Sequence, residues 1–329
     1  MSQGAVGMTL FFMLSGFILA FTYDLKNIST REYIIRRFSR IYPVYFLAAA
    51  ITIPFLGFTS LPSWNNGASN QVLLATFAIG ANLLLVQAWF PPLFAVWNDG
   101  ASWSISVESF FYALFPTLRK FFSVSPRRAR VSLCASYLVM VTVGASVTIL
   151  RPSNMSIAYS VPIYRLGEFI VGVALFDVIK RHDKLQLRHI SRRFLIFVLP
   201  ILLVDLAYLG PRLSDYIGHD WIIIPSFAAV LVNLYSDENI VTKLLSSRFL
   251  VLLGRSSYSF YAIQAFFILF LLKRRANLIV SYHFLSNNFC LCLITYVLLQ
   301  ITAIGVYLFF EKPIRARIQK RFIEVSIGA

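Results

Sequence analysis

Apolar residues run along this chain in unbroken stretches of roughly 17 to 23, the length that carries a helix across a ~30 Å hydrocarbon layer. Polar and charged residues gather between the stretches instead of alternating within them. Lipid offers the backbone no hydrogen bonds, so runs of this length without period-2 alternation satisfy their peptide groups as helix. The pattern predicts spans at 5–23, 41–59, 103–122, 131–150, 164–179, 194–210, 220–236, 250–272 and 289–310. Residues 71–90 are also apolar enough to span, but counting them would put the basic segment 119–130 on the wrong side of the membrane. The expected fold class is therefore all-α: a polytopic integral membrane helix bundle of about nine spans plus one re-entrant or interfacial segment.

Composition strengthens this reading. Of 329 residues, 58% are apolar, 16% aromatic and only 13% charged, against about 45–50% apolar in an average soluble domain. With a mean hydropathy of +0.72, disorder and most soluble folds are excluded. The net charge of +16 would suggest nucleic acid in a soluble protein. Here 23 of the 30 Lys and Arg fall in the segments 24–40, 119–130, 180–193, 237–248 and 311–321. Placing all five in the cytoplasm gives alternating topology from residue 103 onward, so the positive-inside rule explains the charge and no nucleic-acid partner is expected. The C-terminus is then cytoplasmic, and Lys273, Arg274 and Arg275 are the main violation. The segment 91–100 has no basic residue and, with Trp89 and Trp97, fits an outer-face loop. No soluble domain, low-complexity linker or internal repeat is visible.

The first span lacks a basic leader and a small-residue cleavage site, so a removable signal peptide is not expected. The parity places its start outside, and one inward-to-outward helix upstream would repair the topology. Cys134, Cys290 and Cys292 lie inside apolar spans without metal-ligand spacing and read as small buried hydrophobes, with no disulfide and no metal.

Ionisable groups within spans are few, and each costs at least ~2.5 kcal/mol to insert, which makes them candidates for function. Glu108 shares a helix face with Ser104 and Tyr112, four residues to either side. Arg165 and Glu168 are spaced to pair on one helix face, flanked by Gly167 and Gly172, which allow a neighbouring backbone to approach. A structural ion pair is the alternative there. Arg36, Arg37 and Arg40, if helical, concentrate cations suited to phosphate groups; membrane-surface anchoring is the alternative. In Gly254–Tyr261 the hydroxyls of Ser257 and Tyr261 face together and Tyr258 faces elsewhere, either toward a polar ligand tail or back to helix carbonyls. Ser15 and Gly16 read as a helix contact. Among the histidines, His182 and His189 sit in a basic loop, His283 in an outer loop, and His219 beside Asp220 reads as a cap or surface pair.

These segments, in this order, resemble the acyltransferase family 3 membrane proteins. The matching stretches are Leu10–Phe17, Arg36–Tyr45, Trp103–Tyr112 near Pro116, Arg165–Gly172, Gly254–Tyr261 and Glu311-Lys312-Pro313. The resemblance implies a bundle of about ten helices, with acyl-CoA entering from the cytoplasm and an acceptor approaching from outside. It implies Arg36, Arg37 and Arg40 at the CoA-facing region and Glu108, Arg165 and Glu168 as core polar positions, the candidates for catalysis; Ser257 and Tyr258 are further candidates for binding the CoA donor. It also implies an additional first helix carrying an Arg and a His, the His being the family's proposed base, ahead of where this sequence starts. The acidic position the family places before its Phe-Phe pair is Thr9 here, and a His after the Tyr-Ser-Tyr stretch is replaced by Gln264.

The expected function is transfer of an acyl group, acetyl above all, from cytoplasmic acyl-CoA to a hydroxyl of an extracytoplasmic or lipid-linked carbohydrate. No tightly bound cofactor is expected; the partners are the bilayer, acyl-CoA and the carbohydrate. The expected home is a bacterial inner membrane. Residues 1–312 form the transmembrane acyltransferase domain and 313–329 a basic cytoplasmic tail. Two other classes stay open: a catalytically inactive member that binds or assembles, and a polar-solute transporter.

Overall fold

In the computed structural model, residues 4–24, 26, 28–56, 68–93, 102–150, 160–209, 220–237, 239–282 and 286–323 are described. They form helices and turns, with no strand among the described residues. The helices are α1 (Gly4–Tyr23), α2 (Thr30–Leu56), α3 (Ala68–Leu83), α4 (Trp103–Ser123), α5 (Pro126–Leu150), α6 (Pro162–Ile179), α7 (Lys184–Val204), α8 (Asp220–Ser236), α9 (Ile240–Leu245), α10 (Arg248–Ser281), α11 (Asn288–Val306) and α12 (Lys312–Ile323). Wider π-type turns follow α7 at Asp205–Leu209 and α11 at Tyr307–Glu311.

A helix lies at each predicted span. Three stretches among the described residues are by length and composition able to cross a bilayer: Val6–Tyr23, Pro126–Ser146 and Asn288–Ile323. Helices such as α2 and α7 open with clusters of Arg or Lys that dilute their apolarity. The described residues are those of an all-helical membrane protein.

Segment 71–90 does not continue as one helix. At 16 residues, α3 is about 24 Å long, short of the ~30 Å hydrocarbon layer. It ends where Leu85 adopts a left-handed φ of 58°. There the Val86 amide donates to the Ala81 carbonyl at 2.8 Å and the Leu85 amide to that of Asn82 at 3.1 Å, the paired bonds of a Schellman stop. A leucine in this conformation costs about 1–2 kcal/mol, so surrounding bonds must hold it. The Ser106 hydroxyl donates to the Leu85 carbonyl at 2.7 Å, and Gln87 Nε2 donates to the Ser102 carbonyl at 2.9 Å.

The chain divides into two compact units, Met1–Ile28 with Val107–Lys243, and Ser29–Ser106 with Leu244–Ala329. In the first, α6 packs against α1 and α5, and α8 against α7, α1 and α5. Two glycines set the α1–α6 distance: a methyl at Gly172 would run into the Met13 carbonyl, and one at Gly16 into the Phe169 carbonyl. Gly254 has no atom within 4 Å of where a methyl would stand. Gly172→Ala is therefore expected to lower stability by about 1–3 kcal/mol, whereas Gly254→Ala is neutral or stabilising by up to about 1 kcal/mol. Unfolding midpoints in detergent check the contrast; equal shifts would contradict it.

In the second unit α2 packs against α10 and α12, and α10 against α11. Residues 312–323, within and beside the expected tail, form helix α12 on this scaffold. The 34 residues of α10 extend about 51 Å, so Lys273–Arg275 lie on a helix longer than the hydrocarbon is thick. Arg275 donates to Asn288 Oδ1 at the start of α11, 2.8 Å away.

One expectation fails. Cys134 and Cys292 are exposed and Cys290 is half-buried, so they are not buried hydrophobes. In a protein whose solvent is lipid, apolar residues suit both the interior and the outer surface, and hydrophobicity no longer reports burial.

Candidate functional site

Helix α6 opens at Pro162 after an extended Val161, a residue preset for the first helical turn. Its first turns carry Arg165 and Glu168, both fully buried and 3.2 Å apart. From α1, the Thr9 hydroxyl donates to Glu168 Oε1 at 2.8 Å, and Arg165 Nη2 lies 3.4 Å from the Thr9 oxygen. The guanidinium sits over the Phe12 ring, 5.4 Å from its centre. Buried charge is tolerated only when paired and hydrogen-bonded; this triangle supplies the pairing and a hydrogen bond to Oε1, while Glu168 Oε2 is buried with no hydrogen-bond partner among the described residues. Thr9, where the resemblance implies an acid, is thus a neutral bridge. A carboxylate in its place would set two acids against one arginine.

Glu108 is buried on α4 and accepts a hydrogen bond from the Tyr112 hydroxyl one turn on. Ser104, the third residue of that face, pairs with the Tyr261 hydroxyl at 2.6 Å. The Phe111 ring stacks on Phe169 at 4.8 Å and meets Phe12 edge-on at 5.3 Å. Phe111 is three residues from Glu108 and Phe169 adjoins Glu168, so this aromatic stack clamps the helices that bear the two carboxylates. Such an arrangement can orient hydroxyl groups and stabilise a nearby cation. A carboxylate alone is a weak base toward an alcohol.

The basic candidates belong to the second unit. Arg36 is committed to Glu32, one turn back on α2, with its Nε donating to Glu32 Oε1 at 2.8 Å and Nη2 2.7 Å away. Arg37 stands 6.0 Å from the centre of the Tyr33 ring, and Arg40 lies within electrostatic range of Glu311. The Tyr258 hydroxyl donates to the Ile41 carbonyl at 2.7 Å and that of Ser257 to the Gly254 carbonyl at 2.8 Å. Those two hydroxyl protons bond to backbone.

Sequence reasoning missed a third cluster. A cavity of about 110 Å³ in the first unit is lined by Asp24, Phe115, Arg119, Phe122, Asp177 and Lys180, among others. Lys180 Nζ is 2.6 Å from Asp24 and 2.7 Å from Asp177, and Arg119 donates to the Asp24 carbonyl at 3.1 Å. Partial burial alone would lower the Lys180 pKa, but the hydrogen bonds and charges of Asp177 and Asp24 outweigh it and hold the ammonium above the ordinary lysine range. A raised pKa means stability that is fully present below the unfolded value and lost as pH rises through the folded one. The stability difference between the wild type and Lys180→Met should be constant through neutral pH and shrink only in strong alkali. Detergent unfolding across that range checks it, and a difference that vanishes near neutrality would contradict it. The Asp177–Lys180 spacing of three was the available signal; the Asp24 partner, 156 residues away, had none.

His182 and His189 are exposed, with His182 Nδ1 2.9 Å from the Val178 carbonyl. His219, His283 and Trp97 lie outside the described residues. Among the described residues no group of three His, Cys, Asp or Glu gathers as a metal site would.

The acyltransferase MdmB of Streptomyces mycarofaciens is 29% identical over 196 residues, covering 54% of this chain and 47% of that protein. The exopolysaccharide production protein ExoZ of Rhizobium meliloti (strain 1021) is 27% identical over 173 residues, covering 52% and 50%. The chain thus spans about half the length of the curated relatives it matches. No solved structure matches it. Residues 2–306 match the acyltransferase-domain family, and with the ordered blocks above this places the chain in acyltransferase family 3.

Proposed function

We propose that this chain is the membrane core of an acyltransferase of about nine spans that moves an acyl group, acetyl above all, from acyl-CoA at the cytoplasmic face to a hydroxyl of an extracytoplasmic or lipid-linked carbohydrate. The observation that carries the reading is the fully buried Thr9–Arg165–Glu168 triangle inside a helical membrane protein of this family. The carbohydrate acceptor is supported by the likeness to ExoZ, an exopolysaccharide production protein. Acyl transfer from a thioester breaks the carbon–sulfur bond, forms an ester carbon–oxygen bond, and moves the acceptor's hydroxyl proton to a base. The buried carboxylates Glu108 and Glu168 serve to orient the acceptor and the base; Arg37 and Arg40 serve to hold the donor's phosphates. The proton acceptor is a histidine of the kind the family resemblance implies.

The exposed positions of His182 and His189 favour one second reading, a non-catalytic binding or assembly component. Expression in a bacterial host fed labelled acetate, with the chain alone and with its upstream coding sequence, separates the two. Label in cell-surface carbohydrate supports the transferase; membrane insertion and copurification with carbohydrate-synthesis proteins, without label from either, supports the second reading.

A further inference from the structure

We propose that Arg315 of α12 joins Arg37 and Arg40 of α2 in a single binding site for a pyrophosphate-bearing ligand, with Glu311 as the buried carboxylate that gathers the guanidiniums. The proposal rests on the acyl-CoA reading above and deepens it by adding residues from the far end of the chain. Helix α12 packs on α2, and Gln319, one turn beyond Arg315, donates to the fully buried Ser39 hydroxyl at 3.1 Å. Ser39 lies between Arg37 and Arg40, so that bond fixes the register of the two helices along one seam.

Glu311 immediately precedes α12. It is buried, accepts a hydrogen bond from the Ser259 hydroxyl at 2.7 Å, and feels the charges of both Arg40 and Arg315. Arg315 in turn feels Arg40 and Arg37. Glu311 also ends the π-turn Tyr307–Glu311, a widened turn of the sort that interrupts helices at functional sites.

Two guanidiniums beside one carboxylate, with Arg37 within electrostatic range of Arg315, leave an excess of positive charge held together by the fold. Two or more phosphate groups relieve it, and the guanidinium fork matches their geometry. Membrane anchoring does not require this convergence: Lys312, Arg317 and Lys320 of the same helix are exposed and supply it.

The test is equilibrium binding of coenzyme A to the full chain in nanodiscs of phosphatidylcholine and, separately, of phosphatidylglycerol. Arg315→Gln should weaken binding by about tenfold or more in phosphatidylcholine, and Arg315→Lys, which keeps charge but not the fork, by an intermediate factor. Arg317→Gln should stay within about twofold. Should Arg315→Gln fail to fold, the lysine variant carries the comparison alone. Unchanged coenzyme A affinity for Arg315→Gln, or an equal loss for Arg317→Gln, overturns the site. Unchanged affinity together with lost retention of phosphatidylglycerol identifies a lipid-headgroup site and also overturns it. If the wild type binds no coenzyme A in either lipid, the acyl-CoA reading falls and the inference falls with it; wild-type binding indifferent to Arg315 sinks the inference alone.

Discussion

Arg165→Met will destabilise the protein by about 3–5 kcal/mol, the penalty for leaving a buried charge without its partner. The expectation follows from full burial of both Arg165 and Glu168 and their 3.2 Å separation. Without the guanidinium, Glu168 keeps the Thr9 hydroxyl at 2.8 Å but loses its counter-charge. The double variant Arg165→Met, Glu168→Met should recover much of the loss, because an apolar pair of similar volume needs no compensation. Unfolding in detergent of the two single variants and the double variant gives the coupling directly. Single variants no worse than an exposed change such as Arg317→Gln would show that the pair is not a buried charged unit. If the double variant is stable yet inactive in acyl transfer, the triangle serves chemistry as well as packing.

The second large effect separates the two ends of the reaction. Glu108→Gln keeps a partner for the Tyr112 hydroxyl but removes the charge, and should lower kcat by about 100-fold with little change in the KM for acyl-CoA. Arg40→Gln should do the reverse, raising the donor KM by about tenfold or more while kcat changes little. Steady-state kinetics with varied acetyl-CoA resolves the split. A donor KM that rises for Glu108→Gln and holds for Arg40→Gln would reverse the assignment of both.

The helices were legible because long apolar runs without alternation favour helix: a helix lies at each of the nine predicted spans, and three stretches among the described residues are long and apolar enough to cross a bilayer. Which side of a helix is inside was not legible. Phe309 is 84% exposed while Glu311, two residues on, is 2% exposed, an order opposite to that of a soluble protein. Local pairs could be read from spacing: Arg165 with Glu168 at three, Glu108 with Tyr112 at four. Long-range partners could not. Nothing in the sequence ties Thr9 to Glu168, 159 residues away, or Gln319 to Ser39, 280 away, and α3 ends through a left-handed leucine that no turn propensity forecasts.

The central claim is that the donor is used from the face where the arginines of α2 and α12 lie. Sealed vesicles whose sidedness is set by reaction of Arg317→Cys with an impermeant thiol reagent, in a background free of the native cysteines, test it most directly. Labelled acetyl-CoA supplied on the face where position 317 reacts should yield labelled carbohydrate. Product formed only when acetyl-CoA is supplied on the opposite face would contradict the account.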